Sequence, residues 1–172
     1  MTAAADPGPR PPDLAIRPVR QQDFASWAEL FRAYRAFYRL APDDAVIERV
    51  WSWINDDTHE TGALVAVSTA GGADGADGAD GADGEIVGLA HYRRFARPST
   101  GTTGLWLDDL FTATAQRGGG VGRRLIARLS EIAAAENLSV VRWITAADNA
   151  TAQRLYDSLA TRTSWVTYDL TP

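Results

Sequence analysis

The chain of 172 residues contains no cysteine. Disulfides, thiolate metal sites and a cysteine acyl-enzyme are thereby excluded, and with the last goes one whole class of acyl transfer. Lysine is absent as well: all 17 basic residues are arginine. That rules out a Walker-type phosphate loop and Schiff-base chemistry, both of which need a lysine amine. No apolar run approaches the ~20 residues that cross a bilayer. Residues 1–13 are rich in Pro and Ala without a continuous apolar stretch, so a disordered N-terminal tail, a cytoplasmic location and no membrane partner are expected. The only histidines, His59 and His91, have no metal-ligand spacing to each other or to acids. Both are read as structural or exposed, and no metal is expected. The acidic excess is local. The formal charge is -5, but Asp74, Asp77, Asp80 and Asp83 lie in one low-complexity stretch and the remainder is nearly neutral, which gives no support to a nucleic-acid partner.

What is present reads as a mixed α/β domain over residues 14–172. Ala15 to Val19 suit a strand, and Asp23 suits the N-cap of a helix on which Phe24, Trp27, Phe31, Tyr34 and Tyr38 recur at helical spacing. A second helix fits Asp43 to Asn55. Ala63 to Thr69 and Glu85 to Arg93 read as paired strands. The stretch 70–84 between them carries four copies of Ala-Asp-Gly from Ala73 to Gly84, a composition that buries no apolar surface and predicts a flexible loop. Calcium-binding loops need a fixed ligand geometry that these repeats lack. Leu105 to Phe111 is extended. Val121, Leu125, Ile126, Leu129, Ile132 and Ala133 mark one face of a helix to about Glu136. A strand over Val140 to Thr145, a helix capped by Asp148 or Asn149 running to Leu159, and a closing strand over Trp165 to Leu170 complete the order.

The local signal that points to chemistry is Arg117-Gly118-Gly119-Gly120-Val121-Gly122-Arg123-Arg124, between a strand and an amphipathic helix. Glycines there let backbone N–H groups turn toward an anion, and the helix start adds its positive dipole end. Two arginines in a first helical turn oppose that dipole unless an anion is bound. The alternative is a plain loop whose arginines reach water or nearby acids. A dinucleotide turn is disfavoured by position: it belongs on the first strand of a repeating unit with an acid about 20 residues on, whereas Glu136 ends a helix.

Leu107-Asp108-Asp109-Leu110-Phe111, then Arg117-x-x-Gly120-x-Gly122, then Asn149-Ala150-Thr151-Ala152 with Leu155-Tyr156, together resemble the core of the GNAT (Gcn5-related) N-acetyltransferases. Phe31 to Tyr38, Leu107 to Phe111 and Asn149 to Tyr156 are most similar to the branch that holds the Hpa-type and the diamine (spermidine/spermine) acetyltransferases. The resemblance implies a mostly antiparallel central sheet with a splayed parallel strand pair, flanked by helices, and a homodimer. It implies acetyl-coenzyme A as co-substrate. Leu110, Phe111 and Thr112 would pair with its pantetheine arm, Arg117, Gly118, Gly119, Gly120, Val121, Gly122 and Arg123 would hold its pyrophosphate, and Asn149, Ala152 and Tyr156 would complete the site. Thr112 and Thr114 depart from the Val and Pro that many relatives carry, and Trp165 stands near an expected Phe.

The reaction implied is acetyl transfer to a primary amine, small-molecule or peptide, by direct attack in a ternary complex. An alkyl amine is mostly protonated near neutral pH, so some group must take its proton. Asp108 holds the position of that base, or anchors a cationic substrate. Asp108 and Asp109 lie at adjacent strand positions and so point to opposite faces, which means only one faces the cleft. Tyr156 matches the proton donor to the departing thiolate. Tyr34 and Tyr38, with Phe37, can line an amine pocket by cation–π contact, or be core. A domain that binds acetyl-coenzyme A as a signal without turnover is the alternative, and the presence of both Asp108 and Tyr156 argues against it.

Overall fold

A computed structural model describes residues 14–68 and 84–172. The expected N-terminal tail and nearly all of the Ala-Asp-Gly loop lie outside the described residues. The elements are β1 (Leu14–Pro18), α1 (Phe24–Phe37), α2 (Asp44–Ile54), β2 (Thr61–Ser68), β3 (Glu85–Arg97), β4 (Thr102–Thr112), α3 (Val121–Ala135), β5 (Val141–Arg142) and α4 (Ala150–Asp157). The five strands form one sheet in the order β1-β2-β3-β4-β5, antiparallel except for the β4–β5 pair. No described helix is long and apolar enough to cross a membrane.

The sheet is buried on both faces. In β2, Leu64 and Ala66 join Leu125 and Leu129 of α3, while Val65 and Val67 join Trp27 and Phe31 of α1 and Ile47 of α2. This even alternation of apolar side chains is what a central strand between two helical layers requires. The expected amphipathic face of α3 is the face that packs: Val121, Leu125, Ile126, Leu129 and Ala133 are all buried. Its first turn sits close on the sheet because Gly88 lies beneath it. A Cβ on Gly88 would come within 2.6 Å of Val121 Cγ1, and this fixes the end of α3 beside β4.

Asp43 caps α2, its Oδ1 accepting from Ala45 N at 3.0 Å and Val46 N at 3.3 Å. Asp23 stands at the N-cap position of α1 but makes no side-chain cap. Its carboxylate accepts from both terminal nitrogens of Arg17, at 2.6 and 3.0 Å, and from Arg20 N at 2.7 Å. The pair is buried. Burial alone would push the Asp23 carboxyl up, yet the Arg17 and Arg20 hydrogen bonds outweigh it and hold the carboxyl below its ordinary value. A group whose folded pKa is depressed contributes stability above its unfolded pKa and loses it as the pH falls. Thermal unfolding midpoints are therefore expected to drop as pH falls through about 4, the ordinary Asp range, and an Asp23→Asn variant is expected to show a shallower drop. A drop of equal size in the variant would remove Asp23 from the acid sensitivity.

Two expected strands are corrected. Only Val141 and Arg142 of the predicted Val140 to Thr145 strand pair with β4, opposite Leu105 and Trp106. Beyond them the two parallel strands part, so residues 143–145 have no ladder to complete. Trp165 to Leu170 forms no strand and is exposed, because no described strand lies beside it.

Candidate active site

The site is built where β4 leaves β5. Leu110, Phe111 and Thr112 pair on one side with Ala90, Leu89 and Gly88 of β3. Their other edge lies beyond the last β5 pair, so these backbone groups face a gap. An extended amide-bearing chain can complete such an edge.

At the foot of this gap the chain turns through Gly118 and Gly120, both at φ +83°, with nothing within 4 Å of where a Cβ would stand. The positive φ explains glycine at both positions, and the open surroundings leave a cradle instead of a packed turn. Gly120 is the N-cap of α3 and offers no side-chain cap. Amides of a first helical turn have no carbonyl one turn back, so those of Val121, Gly122 and Arg123 are left without a helical partner beside the cradle. The cradle therefore suits a phosphate-bearing group. Gly122 has a different role: a Cβ there would meet Leu155 Cδ2 at 3.3 Å, so it sets the approach of α4. The arginines are distributed unequally. Arg117 lies over the rings of Phe37 and Phe111, at 5.3 and 5.4 Å, and donates to the Thr112 carbonyl. Arg123 donates to Ser158 Oγ at 2.8 Å, and Arg124 reaches the Leu14 carbonyl. The unfavourable cations of the first turn are thus drawn away to other partners, while Arg117 stays on the rings of Phe37 and Phe111 beside Thr112.

The two acids overturn an expectation. His91 pairs with Asp109 but Tyr92 pairs with Leu107, so Asp108 is an extra residue with no opposite number, a β-bulge. Before it Leu105 and Leu107 pack with α3; after it Phe111 packs with α1. The bulge shifts the phase of the strand by one residue. Asp108 and Asp109 consequently share the α1 face instead of pointing to opposite faces. Asp108 accepts from Arg93 Nε at 3.3 Å, and Asp109 lies 2.8 Å from His91 Nδ1. Sequence reasoning treated His91 as inert and passed over Asp109, Arg93 and Trp27. No local signal marked the bulge: residues 105–111 read Leu-Trp-Leu-Asp-Asp-Leu-Phe, and Trp106 and Leu110 would share one face of a regular strand as well.

His91 is 2% exposed. Trp27 Nε1, which can only donate, bonds its Nε2 at 3.0 Å. The ring proton must then lie on Nδ1 and be donated to Asp109. Tyr34 lies close to Asp109. Burial pushes the Asp109 carboxyl up, but His91 and Tyr34 together hold it below its ordinary value. Asp108 is shifted the other way: burial raises it more than Arg93 lowers it. Two adjacent carboxylates are thus driven apart, a pattern that separates an acceptor of protons from a permanent anion.

Of the predicted tyrosines, Tyr34 lies beside Asp109, and burial raises its hydroxyl well above the ordinary range. Tyr38 is tilted against it at 5.0 Å and is 39% exposed. Tyr156 on α4 packs edge-on to Trp143 at 5.4 Å, and burial, with Tyr38 nearby, pushes its hydroxyl up to about 12. Asn149 caps α4, its Oδ1 accepting from Ala152 N at 3.2 Å, which fixes the turn that presents Tyr156. The structure brings Tyr34, Tyr38, Asp108 and Asp109 into one cluster, with Tyr156 reached through Tyr38. His59 is apart, stacked on Trp53 at 5.0 Å. No group of three or more metal-ligating side chains occurs among the described residues.

Residues 27–160 match the model of the acetyltransferase (GNAT) family. The chain belongs to this family. It is an N-acetyltransferase enzyme, and its family uses acetyl-coenzyme A as co-substrate. A curated relative is the D-amino-acid N-acetyltransferase HPA3 of Saccharomyces cerevisiae, 24% identical over 155 residues that cover 90% of this chain and 89% of that protein. Among solved structures, a ribosomal-protein-alanine N-acetyltransferase from Brucella melitensis biovar Abortus 2308 superposes with TM-score 0.70 at 22% identity, covering 92% of this chain and 98% of that one. AAC(6')-Iy, solved with a bisubstrate analogue, superposes with TM-score 0.70 at 17% identity and the same coverage of 92% and 98%. These structural likenesses establish the fold, including its mostly antiparallel sheet and single parallel pair.

Proposed function

We propose that residues 14–172 act as one catalytic domain that transfers acetyl from acetyl-coenzyme A directly to a primary amine, both substrates being bound together. The observation that carries this reading is the bulge that sets Asp108 and Asp109 side by side with opposite pKa shifts. Asp109, kept charged by His91 and Tyr34, holds the amine as its ammonium ion. Asp108, the weaker acid of the pair, takes the proton that the nitrogen must lose, directly or through one water. Tyr38 lines the amine pocket beside Tyr34. As the nitrogen–carbon bond forms and the carbon–sulfur bond breaks, the sulfur needs a proton. Tyr156 retains its phenolic proton far above neutral pH and is the donor.

The residues present fit acetyl-coenzyme A, which supplies the acyl group as a thioester. The free edge at Leu110, Phe111 and Thr112 suits its amide-bearing arm. The cradle of Gly118, Gly119, Gly120, Val121, Gly122 and the Arg123 amide suits its pyrophosphate, with Arg117 above. Asn149 and Ala152 form the wall from which Tyr156 projects. The amines in the relatives' names, D-amino acids, a ribosomal-protein alanine and aminoglycosides, are carried to this chain only as candidates, and polyamines and lysine peptides join them.

Thiol release from acetyl-coenzyme A in the presence of each amine class tests the reading. Release with one class supports it. Silence across the panel, with acetyl-coenzyme A still raising the thermal midpoint, would replace the enzyme with a binding domain. A Tyr156→Phe variant is expected to turn over about 10-fold more slowly or worse with cofactor affinity nearly unchanged. An unchanged rate would take Tyr156 out of the proton-donor role.

A further inference from the structure

Next to the two carboxylates, the same face of the sheet carries a cationic cluster that the transfer chemistry leaves unused. Arg93 of β3, Trp106 of β4 and Arg142 of β5 stand opposite one another across three strands, so their side chains share one face. Tyr92 and Leu107 pack on the α3 side, which puts this row on the α1 side with Asp108 and Asp109. Phe95, two residues beyond Arg93, joins it.

The four side chains are built against one another. The Arg93 guanidinium lies over the Trp106 ring at 5.9 Å, and that of Arg142 over the Phe95 ring at 5.6 Å. The two rings meet at right angles, 5.7 Å between centroids. Gly104 makes room for this: a Cβ there would stand 2.7 Å from Phe95 Cε1. Glycine inside a strand marks close approach of another group, and here it lets the Phe95 ring lie over β4 toward Arg142. The aromatic contacts of α1 run from His91, met by Trp27 and Phe31, to Phe111, met by Tyr34 and Phe37. That path leads away from Phe95, and the Arg93 side chain is 35% exposed.

The charges of the cluster are not matched. Arg142 forms no ion pair among the described residues. Arg93 donates to Asp108 through Nε alone, at 3.3 Å, so among the described residues its terminal nitrogens make no hydrogen bond. A guanidinium over a ring keeps its N–H edge for a planar oxyanion, and a carboxylate matches that fork.

We propose that Arg93 and Arg142 form a subsite for a carboxylate on the acceptor, so that the acceptor is a free amino acid with its amine at Asp108 and Asp109. This rests on the transfer reading above and names its substrate class. Spacing supports a small zwitterion. His91, level with Asp109, lies two residues from Arg93, about 7 Å along the strand, and the Arg93 side chain spans that interval to reach Asp108. The 3.3 Å contact is long for an ion pair. A zwitterion seated there replaces it with two charge-assisted contacts, ammonium to Asp108 and carboxylate to Arg93. The arginines also select against rivals: a diamine or polyamine would set its second cation beside them, a repulsion that costs affinity.

Thiol release from acetyl-coenzyme A is to be measured with both enantiomers of alanine, serine and phenylalanine, with their carboxamides, and with 1,4-diaminobutane. The parent enzyme is expected to favour free acids over carboxamides by about 10-fold or more in kcat/KM, the scale of one hydrogen bond to a charged group. Arg142→Gln is expected to raise KM for the acids by about 10-fold or more and to leave the carboxamides unchanged. Arg142→Glu is expected to favour 1,4-diaminobutane. Equal use of acid and carboxamide by the parent would overturn the subsite while transfer itself stands, and so would a preference for acids that survives Arg142→Gln. If the variants unfold, the acid-to-carboxamide comparison in the parent decides alone. If no amine gives thiol release, calorimetric titration of the same acids and carboxamides into the full chain with coenzyme A decides. Tighter binding of the acids would uphold the subsite although transfer falls; equal or absent binding sinks both.

Discussion

Asp108→Asn is expected to lower kcat/KM for the amine by about 10²-fold or more, the scale of losing a positioned general base, and to abolish the acid limb of its pH profile. The direction follows from the bulge site. Burial raises the Asp108 carboxyl, so the base form disappears at a pH above the ordinary Asp value of about 3.9. Arg93 opposes that rise; Arg93→Gln is therefore expected to move the limb to higher pH. Asp109→Asn is expected to act differently. Its carboxylate stays charged through the working range, so removing it weakens the hold on the ammonium and raises KM more than it lowers kcat. If Asp109→Asn erases the limb while Asp108→Asn leaves it intact, the two roles are exchanged.

Trp27 carries the second large effect. It is fully buried, stacked on Phe31 at 5.3 Å and tilted against Trp51 at 5.0 Å. Trp27→Ala is expected to lower the unfolding free energy by about 3–5 kcal/mol, the usual cost of emptying so large a core site. Denaturant titration checks this, with the midpoint falling and the slope unchanged. Trp27→Phe keeps most of the packing but leaves His91 Nε2 without its donor, expected to cost about 1–3 kcal/mol. A Trp27→Phe variant as stable as the parent would show that the Trp27–His91 bond adds nothing beyond packing.

How much of this was legible depended on whether a feature needed one segment or two. The burial of α3 followed from the spacing of Val121, Leu125 and Leu129, because a helix completes its own hydrogen bonds and only its apolar stripe has to find a surface. The glycine cradle was legible for the same reason: a positive φ and an uncapped helix start are local. Strands are not local. Val140 to Thr145 has strand composition throughout, yet pairing stops at Arg142, since the partner strand bends away to open the gap. Trp165 to Leu170 is strand-like and unpaired in its own chain. The polar cluster was hidden more deeply. Trp27 and His91 are 64 positions apart, and nothing in either segment names the other. The acid pair was found but misread, because alternation was assumed to continue through Asp108.

That bulge gives β4 one place where its length can change without disturbing the rest. Tyr92 already pairs with Leu107 and His91 with Asp109, so a chain without residue 108 closes into an even ladder with the residues on either side still on their present faces. Only the bulge carboxylate is lost. A residue removed elsewhere in the strand shifts the alternation and turns side chains to the opposite face, exchanging the layers that α1 and α3 pack against.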